Sequence, residues 1–144
     1  MHRQTTQAGI AIIKRFEGFK AVTYMDSGGK ATIGFGHLLK PPEAFLSISQ
    51  QEAEELLIKD LYTAERAVLR LTRVLLTDNQ FDALVSFTFN LGSGSYQRST
   101  LRAMLNRGEY ENCATEFPKW SKCGGKTIKG LLRRRLTERD LFLS

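Results

Sequence analysis

The chain has 144 residues, 42% of them hydrophobic and 25% charged, with a formal net charge of +6 and a pI near 9.5. That length suits one ordinary domain, or two small lobes sharing a core, and the composition excludes a chain dominated by disorder. The positive charge calls for an anionic partner. Nucleic acid, membrane headgroups and bacterial cell wall all qualify, so charge alone does not choose among them.

A first helix is predicted from Thr5 or Thr6, either of which can cap it, through Ile10, Ile13 and Phe16 to Gly18. Two short β-prone pieces, residues 21–24 and 31–35, flank Asp26-Ser27-Gly28-Gly29 and read as a hairpin with a glycine turn. Pro41-Pro42 breaks the chain and marks a junction between lobes. Ser49-Gln50-Gln51-Glu52 is a capping box that opens the longest helix, to about Thr72. Its apolar stripe runs from Ala53 through Leu57, Leu61, Ala64 and Val68 to Leu71, and Glu54, Glu55, Lys59, Glu65, Arg66 and Arg70 are expected on a partly solvated face.

Thr77-Asp78-Asn79-Gln80 is a second cap of the same kind, before a helix apolar around most of its girth, expected at the centre of a helical lobe. Shorter helices follow at 99–106 and 109–117, then a loop at Cys123-Gly124-Gly125 and a last helix from Leu131 to Phe142. In that last helix Leu131, Leu132, Leu136 and Leu141 are expected inside and the basic residues outside. The fold class is α+β, mostly helical, with a small antiparallel sheet in an N-terminal lobe of about 1–48, a linking helix of about 49–72 and a helical lobe of about 73–144.

The longest stretch free of charge, Ala83 to Gln97, is too short and too polar to span a bilayer. The first residues lack the apolar core of a secretory signal, so the expectation is a chain without a signal peptide or membrane anchor. Cys113 and Cys123 complete no metal motif with His2 and His37 and are expected as reduced thiols. No metal or cofactor is expected.

Glu17 and Asp26 are the only carboxylates in the first 42 residues, which hold six Lys and Arg. Paired carboxylates in contrasting environments are the machinery of glycoside hydrolysis. Glu17 lies between Phe16 and Phe19 at a helix C-terminus, where charge is disfavoured, which suits a proton donor. Asp26 lies at the turn, where the N–H groups of Ser27, Gly28 and Gly29 favour the ionised form, which suits a base. Thr32, on the next strand, is placed to hold a water. Arg134 or Arg135 reaching Glu17 would oppose the first of these readings, and the sequence leaves that open.

The run Glu17-Gly18, Tyr24, Asp26, Gly28, Thr32-Ile33-Gly34-Phe35-Gly36-His37 resembles the active-site segment of the phage-type lysozymes, endolysins of the T4 and P22 kind. Gln80 to Gly92, Ser99-Thr100-Leu101, Phe117 with Trp120, and Gly130-Leu131 with Arg134-Arg135 are similar to later landmarks of that family, in the same order. The resemblance implies a lysozyme-like fold and hydrolysis of the β-1,4 bond between N-acetylmuramic acid and N-acetylglucosamine. It implies Glu17 as general acid, Asp26 as the residue that positions or activates water, Thr32 as its assistant, and inversion at the anomeric carbon. Substrate contacts are expected from Gly34, Gly36, Leu38, Phe89, Asn90 and Thr100, with Asp60 as the partner of His37. It further implies a monomer acting on the peptidoglycan glycan strand, cytoplasmic accumulation in the host, and release by a holin, with no nucleic-acid partner and no stable membrane insertion. Two readings of other classes remain: a wall-binding relative without catalysis, and a basic helical nucleic-acid binder.

Overall fold

The computed structural model describes residues 2–144. Helix α1 (Gln7–Glu17) starts at Thr6, whose side chain accepts from the Gly9 N–H, and ends at Gly18, which takes φ +73°. The chain then forms β1 (Lys20–Met25), β2 (Ala31–Gly34) and β3 (His37–Leu38), an antiparallel sheet in that order with Met25 opposite Ala31 and Thr32 opposite Leu38. The two-residue β3 was not foreseen, because so short a strand carries no alternation to read.

Helix α2 (Gln50–Leu71) carries the expected capping box: Glu52 N–H to Ser49 Oγ at 3.1 Å and Ser49 N–H to Glu52 Oε1 at 2.9 Å. Helix α3 (Asp78–Leu91) repeats the device with Thr77 and Gln80. Every residue from Phe81 to Thr88 is buried, so α3 is the central helix that its all-round apolar character predicts. Around it lie α1, α2, α4 (Ser93–Gln97), and, beyond α5 (Thr100–Asn106) and α6 (Tyr110–Glu116), the last helix α7 (Lys129–Leu143). Phe87 is fully buried and meets Tyr96, Phe117 and Trp120 edge-on, an arrangement favoured by the ring quadrupoles. The loop expected at Cys123-Gly124-Gly125 is the tip of a second small hairpin, β4 (Lys122–Cys123) and β5 (Lys126–Thr127).

Three expectations need correction. The segment 1–48 does not pack as one lobe. The sheet lies on α2, whereas α1 is locked to α3, because Thr6 donates from its N–H (3.0 Å) and its hydroxyl to the buried Asp82 carboxylate. A methyl group at Gly9 would fall 2.5 Å from Asp82 Cγ, so only glycine permits this approach. Glu65 is not solvated: it is 4% exposed and accepts from Thr5 N–H (2.6 Å), Thr5 Oγ1 (2.7 Å) and His2 Nε2 (2.9 Å). In α7 the order is inverted, with Arg134, Arg135 and Glu138 buried and the four leucines only half-buried.

Glu65→Ala removes a buried acceptor and strands the Thr5 donors. It should lower stability by about 3 kcal/mol in urea-unfolding experiments. A loss below about 1 kcal/mol would mean that water reaches Thr5 and satisfies it.

Candidate active site

Glu17 is the last residue of α1, so its side chain projects from the helix end. It enters a cavity of about 810 Å³ that Gly36, His37, Leu38, Asp60, Phe89 and Asn90 also line. Gly36, at φ +79°, brings its backbone against the acid: a Cβ there would lie 2.7 Å from Glu17 Oε1. The other oxygen, Oε2, accepts from Arg134 Nη1 at 2.7 Å. One oxygen of Glu17 is thus tied, and Oε1 has no hydrogen-bond partner among the described residues. Phe16 and Phe19 are only half the environment of Glu17: of the two arginines named from the sequence as opposing the proton-donor reading, Arg134 does reach the carboxyl.

Behind Arg134 lies a buried ionic cluster. Glu138, wholly buried, accepts at Oε1 from Arg135 Nε (2.7 Å) and at Oε2 from Ser86 Oγ (2.6 Å), Arg135 Nη2 (3.1 Å) and Arg134 Nε (3.2 Å). Arg135 also donates from Nη2 to Asn90 Oδ1 at 2.8 Å. Burial pulls the Arg135 guanidinium below its ordinary value, and the Glu138 charge opposes that. Glu138 was not singled out from the sequence. Its i,i+3 and i,i+4 spacing to the two arginines matches that of solvated helix pairs. The available signal was that leucines and charges mingle around α7, leaving no clean apolar stripe.

Asp26 sits at the hairpin turn as expected, with Gly28 as the one expected donor and Lys30 in place of Ser27 and Gly29. Its Oδ1 accepts from Gly28 N–H (2.9 Å) and Lys30 N–H (2.8 Å), and Oδ2 has no partner among the described residues. Thr32 is buried and donates from Oγ1 to the Lys30 carbonyl at 3.0 Å, toward the turn. Neither residue lines the cavity that holds Glu17. Gly34 and Thr100 do not line it either. A Cβ on Gly34 would meet Ala53 and Ile48 at 3.1 Å, so this glycine serves the packing of the sheet on α2. Thr100 is exposed in the first turn of α5.

His37 pairs with Asp60 as expected, Nδ1 to Oδ2 at 2.8 Å, and with an unforeseen second partner, Glu43, Nε2 to Oε2 at 3.1 Å. Burial works against charge on His37, but the Asp60 and Glu43 carboxylates outweigh it and raise its pKa. Burial raises the Asp60 pKa, and His37 opposes the rise. The Lys40 N–H and then His37 lower that of Glu43. Among the described residues, no group of three or more His, Cys, Asp or Glu is arranged to hold a metal ion. Cys113 is a buried free thiol, pushed up to about 12 by burial, and Cys123 is an exposed one.

Residues 14–138 match the family model described as phage lysozyme. The chain is 43% identical over 141 residues to the endolysin of Bacillus phage B103, covering 96% of this chain and 54% of that protein. It is 41% identical over 145 residues to the endolysin of Salmonella phage P22, covering 98% and 99% of the two chains. It thus spans about half the length of the Bacillus phage relatives it matches and nearly all of the P22 protein. Among solved structures, the endolysin from Escherichia coli O157:H7 phage FAHEc1 superposes with a TM-score of 0.91 at 36% identity, covering 100% of this chain and 96% of that one. The lysozyme-like α+β architecture expected from the sequence is the one observed.

The His37 cluster sets a pH dependence whose sign is fixed by its geometry. A histidine raised in the folded state contributes stability that is complete below its unfolded value, about 6.5, and lost as pH rises through the higher folded value. NMR titration should place His37 above 6.5. The stability gap between the parent and His37→Asn should be largest in mild acid and shrink as pH rises past neutrality. A gap that widens toward alkali would contradict this.

Proposed function

The chain belongs to the phage lysozyme family, and from that premise we propose that it is an endolysin. In this reading it hydrolyses the β-1,4 bond between N-acetylmuramic acid and N-acetylglucosamine in peptidoglycan. Glu17 is the general acid, and Asp26 activates or positions the attacking water. One observation carries the assignment: each acid is anchored through a single oxygen, Glu17 by Arg134 and Asp26 by two backbone N–H groups, leaving the second oxygen unpaired. An Asx turn accounts for the Asp26 contacts by themselves; the Glu17 contact, made at the cleft to an arginine that is itself buried, is the one a solvated carboxylate does not show. A catalyst needs such a contact, because a fixed group with one free oxygen transfers a proton along one line.

The steps follow from these contacts. Glu17 delivers the proton from Oε1 to the glycosidic oxygen as the bond to the sugar carbon lengthens. The charge left on Glu17 is met at Oε2 by Arg134, already in place, so no reorganisation is needed as charge develops. Asp26 Oδ2 takes a proton from the water that attacks the sugar carbon from the opposite face, which inverts its configuration. Thr32, whose hydroxyl proton is directed to Lys30, keeps its oxygen lone pairs to accept from that water. Leu38, Phe89, Asn90 and the Gly36 backbone provide the cleft surface for the strand, and Gly34 and Thr100 act at one remove. The net charge of +6 draws the protein to the anionic wall. Action as a monomer, and access to the wall through a holin-made lesion, rest on the family likeness alone.

Glu17→Gln should slow the clearing of cell-wall suspensions by a factor of about 10² to 10⁴ while leaving glycan binding in place. Unchanged clearing would remove Glu17 from the chemistry. Mass analysis of the parent's products should show hydrated reducing ends; anhydro sugars would indicate elimination in place of hydrolysis.

Gly36→Ala provides an independent check. Its methyl group occupies the space beside Oε1 and forces the acid to move, so activity should fall about 10²-fold. The φ strain costs only about 1–2 kcal/mol of stability. Near-normal turnover in a folded Gly36→Ala protein would show that the position of Oε1 is not critical.

A further inference from the structure

A second cavity, of about 420 Å³, adjoins the cleft, and Glu17 and Asn90 line both. A glycan strand lying at Glu17 therefore has two spaces to extend into. The second differs in chemistry: Arg15, from the last turn of α1, and Arg133, from α7, line it, and Glu17 is its only acid. Neither Arg15 nor Arg133 forms an ion pair among the described residues; other Lys and Arg share that state, and what sets these two apart is that they line a cavity beside Glu17. Both side chains are on exposed residues. The Arg15 guanidinium lies 5.2 Å from the Phe16 ring centroid, a contact that orients it without neutralising it. Gly130, in the first turn of α7, opens on the same space, and Ile128 at the N-cap provides no side-chain acceptor for that turn.

We propose that this cavity is a carboxylate subsite, in which Arg15 and Arg133 hold the anionic substituent of a muramyl residue beside the scissile bond. The inference rests on the peptidoglycan-hydrolase reading and adds a subsite to it. Guanidinium groups bind a carboxylate, as they do a phosphate, with two parallel hydrogen bonds, so the place of the cavity decides between them. The cavity borders Glu17 itself, so its occupant belongs to the strand being cut and not to a distant membrane. Two carboxylates of the wall qualify: that of the muramyl lactyl group when free, and those of the peptide stem attached to it.

The test compares the parent with Arg15→Ala/Arg133→Ala on three substrates: native wall; wall whose carboxyls are capped with methylamine; and amidase-treated glycan, which keeps a free lactyl carboxylate but no peptide. On native wall the double variant should lose roughly tenfold or more in kcat/KM. On capped wall, variant and parent should be equal, both near the variant's rate on native wall. On amidase-treated glycan, a persisting loss shows that the subsite also takes a free lactyl carboxylate, and a vanished loss confines it to the carboxylates of the peptide. As a charge-matched control, Arg66→Ala/Arg70→Ala, on the exposed face of α2 outside both cavities, should leave the native-to-capped ratio unchanged. An equal loss on native and capped wall, no loss on native wall, or the same ratio change in the control would overturn the subsite. If the parent releases no reducing ends from any of the three, the hydrolase reading itself fails, and the subsite with it.

Discussion

The buried Arg134–Glu138–Arg135 cluster is the constraint on which the site depends. Taking three charges out of water costs several kcal/mol for each ion before any attraction is counted. The structure offsets that cost with contacts: Glu138 alone accepts four hydrogen bonds, and Ser86 contributes its hydroxyl and its carbonyl. Leucines of similar volume would hold α7 against α3 about as well. They would lack direction. Arg134 leaves the cluster toward Glu17 and Arg135 leaves it toward Asn90, so one buried anion orients two residues that line the cleft.

The two acids are held by different means. Glu17 is held by a side chain from the far end of the sequence, 117 residues away. Asp26 is held by its own turn, through N–H groups two and four residues on. The placement of Glu17 therefore depends on the whole helical body being folded, whereas that of Asp26 needs only the hairpin. The hairpin is in turn set against α2 by the close approach at Gly34, and α2 is tied to the N-terminus through Glu65.

The elements that could be read from the sequence are those with a local cause. The caps at Thr6, Ser49, Thr77 and Ser99 lie where hydroxyl side chains precede helical periodicity, and the hairpin turn lies at its glycines. The elements that escaped, β3, α4 and the strands β4 and β5, are each five residues or shorter and draw their stability from neighbours. In the candidate site, Glu17 and Asp26 could be singled out as candidates because two acids in basic surroundings stand out. Glu138 and the buried state of Glu65 could not, because a charged residue inside a protein has the same local signature as one outside. Partners distant in sequence make the difference: Thr5 for Glu65, and Ser86 with two arginines for Glu138.

The formal charge is a poor guide to what the surface presents. The basic run of the last helix looks like a solvated face, yet Arg134 and Arg135 point inward and are occupied by Glu17, Glu138 and Asn90. Arg3, Lys14, Arg107, Lys119 and Arg139 are paired as well, and the other Lys and Arg form no ion pair among the described residues. Long-range attraction to an anionic polymer is then the work of cations without partners, and those at the cleft edge count most, because screening confines their reach to about 8–10 Å. Arg15 and Arg133 flank Glu17 within one cavity. Charge placed there would do more than raise encounter rates: under the proposed subsite it would bias which part of a captured strand comes to rest against Glu17.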